Sequence, residues 1–153
     1  MLLMKDILDE KDKRLREKSS EVTFPLTEDD KKTVKDIIEF LTNSQIEELA
    51  EKYDLRPGMG LAAIQLGIKK RYFVVVHEYD DGLFDNSVIF NPKLVSNSEE
   101  IIYVGEGEGC LSVNREVDGI VPRNARITVE AYDEEGNPYT IRVREDIAIA
   151  FQH

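Results

Sequence analysis

Residues 127–143, with the sequence ITVEAYDEEGNPYTIRV, contain the clearest indication of the fold. Apolar and polar residues alternate from Ile127 to Ala131 and again from Tyr139 to Val143, which is the two-residue period of a half-buried β-strand. The loop between them, 133–138, includes Asp, Gly, Asn and Pro, which all favour turns. The stretch therefore predicts an antiparallel β-hairpin.

A helix is predicted directly after this hairpin. Asp146 is a candidate N-cap, and Ile147, Ala150 and Phe151 follow at helical spacing. This helix would begin only a few residues before the last residue, His153.

Several strands are predicted before the hairpin. The β-rich segments Tyr72–Val76 and Ser87–Phe90 are separated by a turn at 80–82. Asn91 and Pro92 are expected to end the second of these strands or to confine it to an edge, because proline has no N–H to donate. Two shorter strands are predicted at Leu94–Val95 and Ile101–Val104.

The first part of the chain favours helices. The charged segment 5–22 is expected to form an arm held by a few apolar contacts. Thr27 is a candidate N-cap, with Asp30 in a capping-box-like position three residues later. The helix that follows has one apolar face, formed by Val34, Ile37, Ile38 and Leu41. A second short helix is predicted from Ile46 to Tyr53.

The predicted elements follow the order helices, strands and a final helix along the chain. This order predicts an α+β class with antiparallel β-sheets. The length of 153 residues predicts a single domain, 1–153. The net charge of −11 argues against a general nucleic-acid binder and against docking on anionic lipid, because both need clustered Lys and Arg. Cys110 is the only cysteine, and neither a signal peptide nor an apolar run of transmembrane length is present in these residues. A reducing, cytoplasmic location is therefore expected.

Three segments could carry chemistry. The glycines of Gly58 to Gln65 (GMGLAAIQ) would let a backbone pass close to a ligand, although the segment also fits a turn before a short packed helix. In the segment 105–112 (GEGEGCLS), Cys110 could bind a metal as a thiolate or lie buried in a bulged strand. His153 is a candidate metal ligand or a simple terminal residue.

Together and in this order, these segments resemble the signature motifs of the peptide deformylase family. Gly58 to Gln65 resembles G-x-G-L-A-A-x-Q, residues 108–112 match E-G-C-L-S, and residues 151–153 resemble the lead-in to H-E-x-x-H. The segment between the first helix and Gly58 resembles the insertion of the type II class. The resemblance covers nearly the whole chain. It implies metal-dependent hydrolysis of the N-formyl group from the formyl-Met of nascent polypeptides, and a fold packed around a C-terminal metal-binding helix.

The resemblance also implies roles for individual residues. Cys110 and His153 would be two ligands of a divalent metal, natively Fe(II) and replaceable by Ni, Zn or Co. The Gln65 side chain and the Leu111 backbone N–H would form an oxyanion hole, and the Glu of H-E-x-x-H would activate water. Glu108 would pair with Arg123 and so brace the strand that bears the cysteine.

The implied substrate is an N-formyl-Met peptide that adds alongside a strand edge, with its Met side chain in an apolar pocket. The residues expected to contact it are Gly58, Gly60, Leu61 and Gly109. The ribosome is a further implied partner, whereas a sequence-specific nucleic acid and a membrane are not expected.

Two positions depart from the family pattern. Ile64 stands where the family usually has Pro, which should loosen the backbone modestly. The sequence stops at His153, before the Glu and the second His of H-E-x-x-H, so the 153-residue chain by itself is expected to be inactive and to bind metal weakly. We expect these residues to belong to a longer chain that completes the helix. The alternative is an inactive deformylase-like fragment or homologue that binds peptide N-termini or a partner without hydrolysis.

Overall fold

The computed structural model describes residues 1–153. Helices α1 (Glu28–Ser44) and α2 (Glu47–Tyr53) precede the strands, and helix α3 (Glu145–Gln152) follows them. The strands are β1 (Gly60–Ala62), β2 (Tyr72–Asp80), β3 (Leu83–Asn97), β4 (Ile101–Ile102), β5 (Arg123–Asn124), β6 (Arg126–Tyr132) and β7 (Pro138–Arg144). Short 3₁₀ turns lie at Met4–Asp6, Lys13–Arg16 and Ala63–Leu66. The predicted α+β class is confirmed. None of the helices is long and apolar enough to cross a bilayer.

Five strands form one antiparallel sheet in the order β1-β2-β3-β6-β7, and β4 pairs with β5 separately. The predicted hairpin is the β6–β7 pair, in which Ile127 lies opposite Val143 and Ala131 lies opposite Tyr139. Strand β1 is at the edge of the sheet, so one of its sides is not paired by another strand of the chain.

Strand β3 is longer than predicted. The expected end at Asn91 and Pro92 is wrong, because β3 continues to Asn97 and includes the segment predicted as a separate short strand. The pairing with β6 shifts register between Phe90 and Lys93, and Asn91 has a positive φ of 49°. This irregularity places the proline where no ladder hydrogen bond is required of it.

Helix α1 starts as predicted but without the capping box. The Thr27 hydroxyl oxygen accepts a hydrogen bond from the Asp30 N–H at 3.1 Å. The Asp30 carboxylate does not complete the box, because both of its oxygens accept from the Lys70 ammonium at 2.8 and 2.9 Å. Asp30 is buried, and a buried carboxylate gains more from a cation than from a single backbone N–H.

The large sheet separates two apolar cores, because alternate residues of a strand face opposite sides. Helix α1 covers one face, where Ile37, Phe40 and Leu41 pack against Val74 and Phe90. Helix α3 covers the other face, where a smaller cluster is formed by Ile89, Ile127, Val129, Ala131, Val143 and Ala148. The sheet therefore lies between α1 and α3 as a central layer.

Helix α3 begins one residue before the predicted cap. Its N-cap is Arg144, which makes no side-chain capping bond, and Asp146 lies within the first turn. The Glu145 N–H instead donates to the Ala125 carbonyl at 2.9 Å. The hydrogen bond of the first N–H of the helix is therefore supplied by a neighbouring chain segment. The predicted cap at Asp146 is therefore wrong, while the predicted helix is present.

Candidate active site

Gln65 lies in the 3₁₀ turn that follows β1, and its side chain is oriented at both ends. Its Oε1 accepts from the Ala62 N–H at 2.9 Å. Its Nε2 donates to the Ser112 hydroxyl at 3.0 Å and lies 3.9 Å from Cys110 Sγ. The Gln65 amide, from the segment 58–65, therefore faces Cys110 of the segment 105–112.

Cys110 is half-buried and surrounded by donors. A hydrogen bond with His153 lowers the pKa of the Cys110 thiol, and the backbone N–H groups of Ser112 and Val113 lower it further, against the opposing effect of burial. The same contact with Cys110 raises the pKa of His153, and Glu108 adds to that rise. These contacts shift Cys110 towards the thiolate, which is the form of cysteine that binds metals.

His153 is also held by a buried carboxylate. Its Nδ1 lies 2.8 Å from Glu108 Oε1, which leaves Nε2 for Cys110 or for a metal. Arg123 donates to both oxygens of Glu108 at 2.9 and 3.1 Å, so the predicted contact between Arg123 and Glu108 is present. The arginine is the main reason that the pKa of Glu108 lies below its usual value.

The position of His153 depends on how α3 is anchored. Gln152 accepts from the Asn124 N–H at 2.9 Å and donates to the Asn124 carbonyl at 2.8 Å, which ties the end of α3 to β5. Phe151 packs edge-on against Phe73, with ring centroids 5.1 Å apart. The sequence alone predicts no anchoring role for Gln152. A polar side chain directly after the apolar run 147–151 is the only signal that could have suggested it.

Leu111 places its backbone and its side chain in different environments. No protein acceptor takes the Leu111 N–H, whereas the side chain is buried against Gly58. A Cβ on Gly58 would lie 2.8 Å from Leu111 Cδ1. Both backbone polar groups of Gly58 bond to the end of α1, through the Ser44 hydroxyl and the Gln45 amide. Close packing against Leu111 therefore explains why a residue without a side chain is at position 58.

The other predicted substrate residues lie on two sides of this site. Gly60 and Leu61 belong to the edge strand β1, paired with Val75 and Val74 of β2, and the Leu61 side chain is part of the large core. Gly109 is exposed, with open space where a side chain would project. The structure thus brings together Gln65, Glu108, Cys110, Leu111, Arg123 and His153, with β1 alongside.

Cys110 and His153 fit a metal by donor type. A thiolate and an imidazole suit iron, zinc, nickel and cobalt. The interaction with His153 is the largest cause of the lowered pKa of Cys110, and the Glu108 carboxylate 2.8 Å from Nδ1 orients the histidine ring as in many metal sites. The 153 residues contain no cluster of three or more His, Cys, Asp or Glu side chains that could hold a metal ion. The assignment of Cys110 and His153 as metal ligands therefore stays a prediction from the family resemblance.

Comparisons with known proteins identify the family. The sequence model described as polypeptide deformylase matches residues 4–153. A peptide deformylase of Shouchella clausii is 50% identical over all of this chain and 84% of its own length. A protein named peptide deformylase 2 of Bacillus anthracis is 51% identical over all of this chain and 83% of its own length.

Solved structures agree with these sequences. The probable peptide deformylase of Synechococcus phage S-SSM7 superimposes with a TM-score of 0.73 at 31% identity, over 96% of this chain and 88% of that one. The Thermotoga maritima peptide deformylase gives a TM-score of 0.70 at 31% identity, over 96% and 86% of the two chains. The resemblance predicted from the motifs is confirmed, and the chain belongs to the polypeptide deformylase family.

Proposed function

We propose that this protein hydrolyses the N-formyl group of formyl-Met peptides with Gln65 and Leu111 as the donors to the formyl oxygen. The observation that carries the proposal is the position of the Gln65 amide nitrogen, 3.9 Å from Cys110 Sγ. The Leu111 N–H, which has no protein acceptor, belongs to the next residue after the cysteine. One candidate donor therefore lies beside a candidate metal ligand, and the other is on the residue that follows it in the chain.

The chemistry follows from what each group can donate or hold. A divalent metal on Cys110 and His153, Fe(II) in our proposal, would supply a Lewis acid and a water nucleophile near neutral pH. Gln65 Nε2 and the Leu111 N–H would stabilise the negative charge that develops on the formyl oxygen. Glu108 would orient the His153 ring, and Arg123 would keep Glu108 ionised.

The edge strand β1 supports an extended peptide as the substrate. One side of β1 is free of strand partners, and Gly60 offers no side chain to obstruct an incoming backbone. A peptide that adds along this edge would gain main-chain hydrogen bonds that do not depend on its sequence. Such recognition suits an enzyme that must act on many nascent chains emerging from the ribosome.

The test is formate release from formyl-Met-Ala-Ser by the complete gene product, with intact mass and metal content determined on the same sample. Formate release that requires Fe(II) or Ni(II), and is lost in Cys110→Ala, is the expected result. Binding of the formyl peptide without formate release, on a protein loaded with either metal, would contradict the proposal. It would support the alternative of an inactive peptide-binding homologue.

A further inference from the structure

Arg56 lies in the loop between α2 and β1 and reaches the segment that carries Cys110. Its Nη2 donates to the Leu111 carbonyl at 2.7 Å and lies 3.5 Å from the Cys110 carbonyl. Its Nη1 donates to the Val113 carbonyl at 2.9 Å. One guanidinium therefore contacts three carbonyl groups within four consecutive residues.

These four residues form a tight turn. The Val113 N–H donates to the Cys110 carbonyl at 3.0 Å, which is the closing bond of a β-turn. The remaining carbonyl, that of Ser112, accepts from the Glu10 N–H at 2.7 Å on the N-terminal arm. Each carbonyl of the turn thus has a donor, and Arg56 supplies the only charged one.

The direction of the Leu111 N–H follows from these bonds. The Cys110 carbonyl and the Leu111 N–H belong to one planar peptide unit, so a donor that fixes the carbonyl also fixes the opposite N–H. The carbonyls of Leu111 and Val113 hold the next peptide planes in the same way. A cation on the carbonyl side also polarises the peptide unit and strengthens its N–H as a donor.

We propose that Arg56 is a positioning residue that holds the Cys110–Val113 turn so that the Leu111 N–H points at the formyl oxygen. This inference rests on the proposed function, because it assumes that Leu111 donates to that oxygen. Arg56 is itself exposed and makes no salt bridge in the structure. Its removal should therefore disturb the turn far more than the stability of the fold.

The kinetic test compares Arg56→Ala and Arg56→Lys with a control, Arg126→Ala, in the complete gene product. Arg126 pairs with Glu100 on the surface and is outside the site. A misdirected oxyanion donor lowers kcat, so we expect Arg56→Ala to lose roughly tenfold to a hundredfold in kcat while KM changes about twofold or less. Arg56→Lys should recover a part of the loss, because an ammonium cannot reach all three carbonyls. Arg126→Ala should match the wild type.

Two further readouts separate positioning from a general structural effect. Guanidinium ion at non-denaturing concentration should restore part of the kcat of Arg56→Ala, and equal ionic strength from NaCl should not. In the Zn(II)-loaded protein, the backbone amides of 110–113 should change from the order parameters of rigid backbone, about 0.85, towards flexible values below about 0.6 in Arg56→Ala. Arg126→Ala should leave these amides unchanged.

Wild-type kcat in Arg56→Ala would overturn the inference and leave the proposed function standing. A lower kcat with unchanged amides at 110–113 would also overturn it, because Arg56 would then act by another route. If the wild type releases no formate, the proposed function fails and this inference fails with it.

Discussion

Nδ1 of His153 lies 2.8 Å from Oε1 of Glu108, which in turn accepts two hydrogen bonds from Arg123. A histidine at the end of a helix is thereby linked to a carboxylate that is only 8% exposed. This chain of contacts fixes the ring orientation of a candidate metal ligand. It also makes Glu108 the residue through which metal affinity can be altered without changing a ligand.

Glu108→Gln should weaken metal binding. The amide keeps the size of the side chain but loses the charge that holds both Arg123 and His153. Residues that orient metal ligands typically account for tenfold to a hundredfold in affinity, so a loss of about that size is expected. Competition with a chelator, measured on the complete gene product, would give the value. Equal affinity in the variant and the wild type would contradict the proposed role of Glu108.

Gln65→Leu should remove one of the two proposed donors to the oxyanion. The expected loss is roughly a hundredfold to a thousandfold in kcat, with a smaller change in KM. The side chain also bonds to the Ala62 N–H, so the melting temperature must be recorded alongside the kinetics. A variant with wild-type kcat would show that Gln65 does not contact the reacting oxygen.

Gly58→Ala should displace Leu111. The new methyl group would lie 2.8 Å from Leu111 Cδ1, 3.1 Å from Cγ and 3.2 Å from Cδ2. Overpacking of this kind costs about 1–3 kcal/mol in stability, and we expect deformylase activity to fall because the Leu111 backbone moves with its side chain. Gly105→Ala is the matched control, because nothing lies within 4 Å of its added Cβ. Denaturant unfolding and formate release measure the two effects, and equal values for both variants would refute the packing argument.

The buried Tyr72 hydroxyl predicts a loss of stability at high pH. Burial, together with the nearby Asp30 carboxylate, raises the pKa of Tyr72 to about 12, and its hydroxyl has no hydrogen-bond partner. Because the folded state keeps this proton after the unfolded state has lost it, stability is fully present below about pH 10 and falls as pH rises to about 12. The expected fall is on the order of 2–3 kcal/mol.

Tyr72→Phe should remove this pH dependence and retain or raise stability at neutral pH, since an unpaired buried hydroxyl is eliminated. Tyr79→Phe is the control, because Tyr79 is 60% exposed. Urea unfolding at pH 8, 10 and 11.5 compares the three proteins. A Tyr72→Phe protein that follows the wild type at all three values would contradict the assignment.

The main elements of the fold could be predicted because their signals are local. The alternation in Ile127–Ala131 and Tyr139–Val143 indicates a hairpin whatever surrounds it, and the face of Val34, Ile37 and Leu41 indicates a helix that packs on one side. Thr27 caps α1 through a bond within four residues, which the sequence alone can indicate. The family could be recognised because its motifs are contiguous runs of residues.

The predictions that were wrong concern positions where a residue distant in sequence supplies the hydrogen-bond partner instead of a nearby one. Asp30 binds Lys70 instead of completing a capping box, and the start of α3 is satisfied by Ala125 rather than by Asp146. Strand β3 continues through Pro92 because a register shift against β6 removes the need for a hydrogen bond there. Local sequence does not contain this information, since each partner is supplied by another part of the sheet or core.

The sequence by itself determined which side chains are available to bind a metal, donate hydrogen bonds or pair charges, namely Gln65, Cys110, His153 and the Glu108–Arg123 pair. Only the tertiary structure decided how they are aimed. It directs the Gln65 amide towards Cys110 and brings the Glu108 carboxylate to Nδ1 of His153. It also brings Arg56 to the carbonyls of the Cys110–Val113 turn. The physical reason is that hydrogen bonds act over about 3 Å, so their partners are known only when segments more than forty residues apart have been packed together.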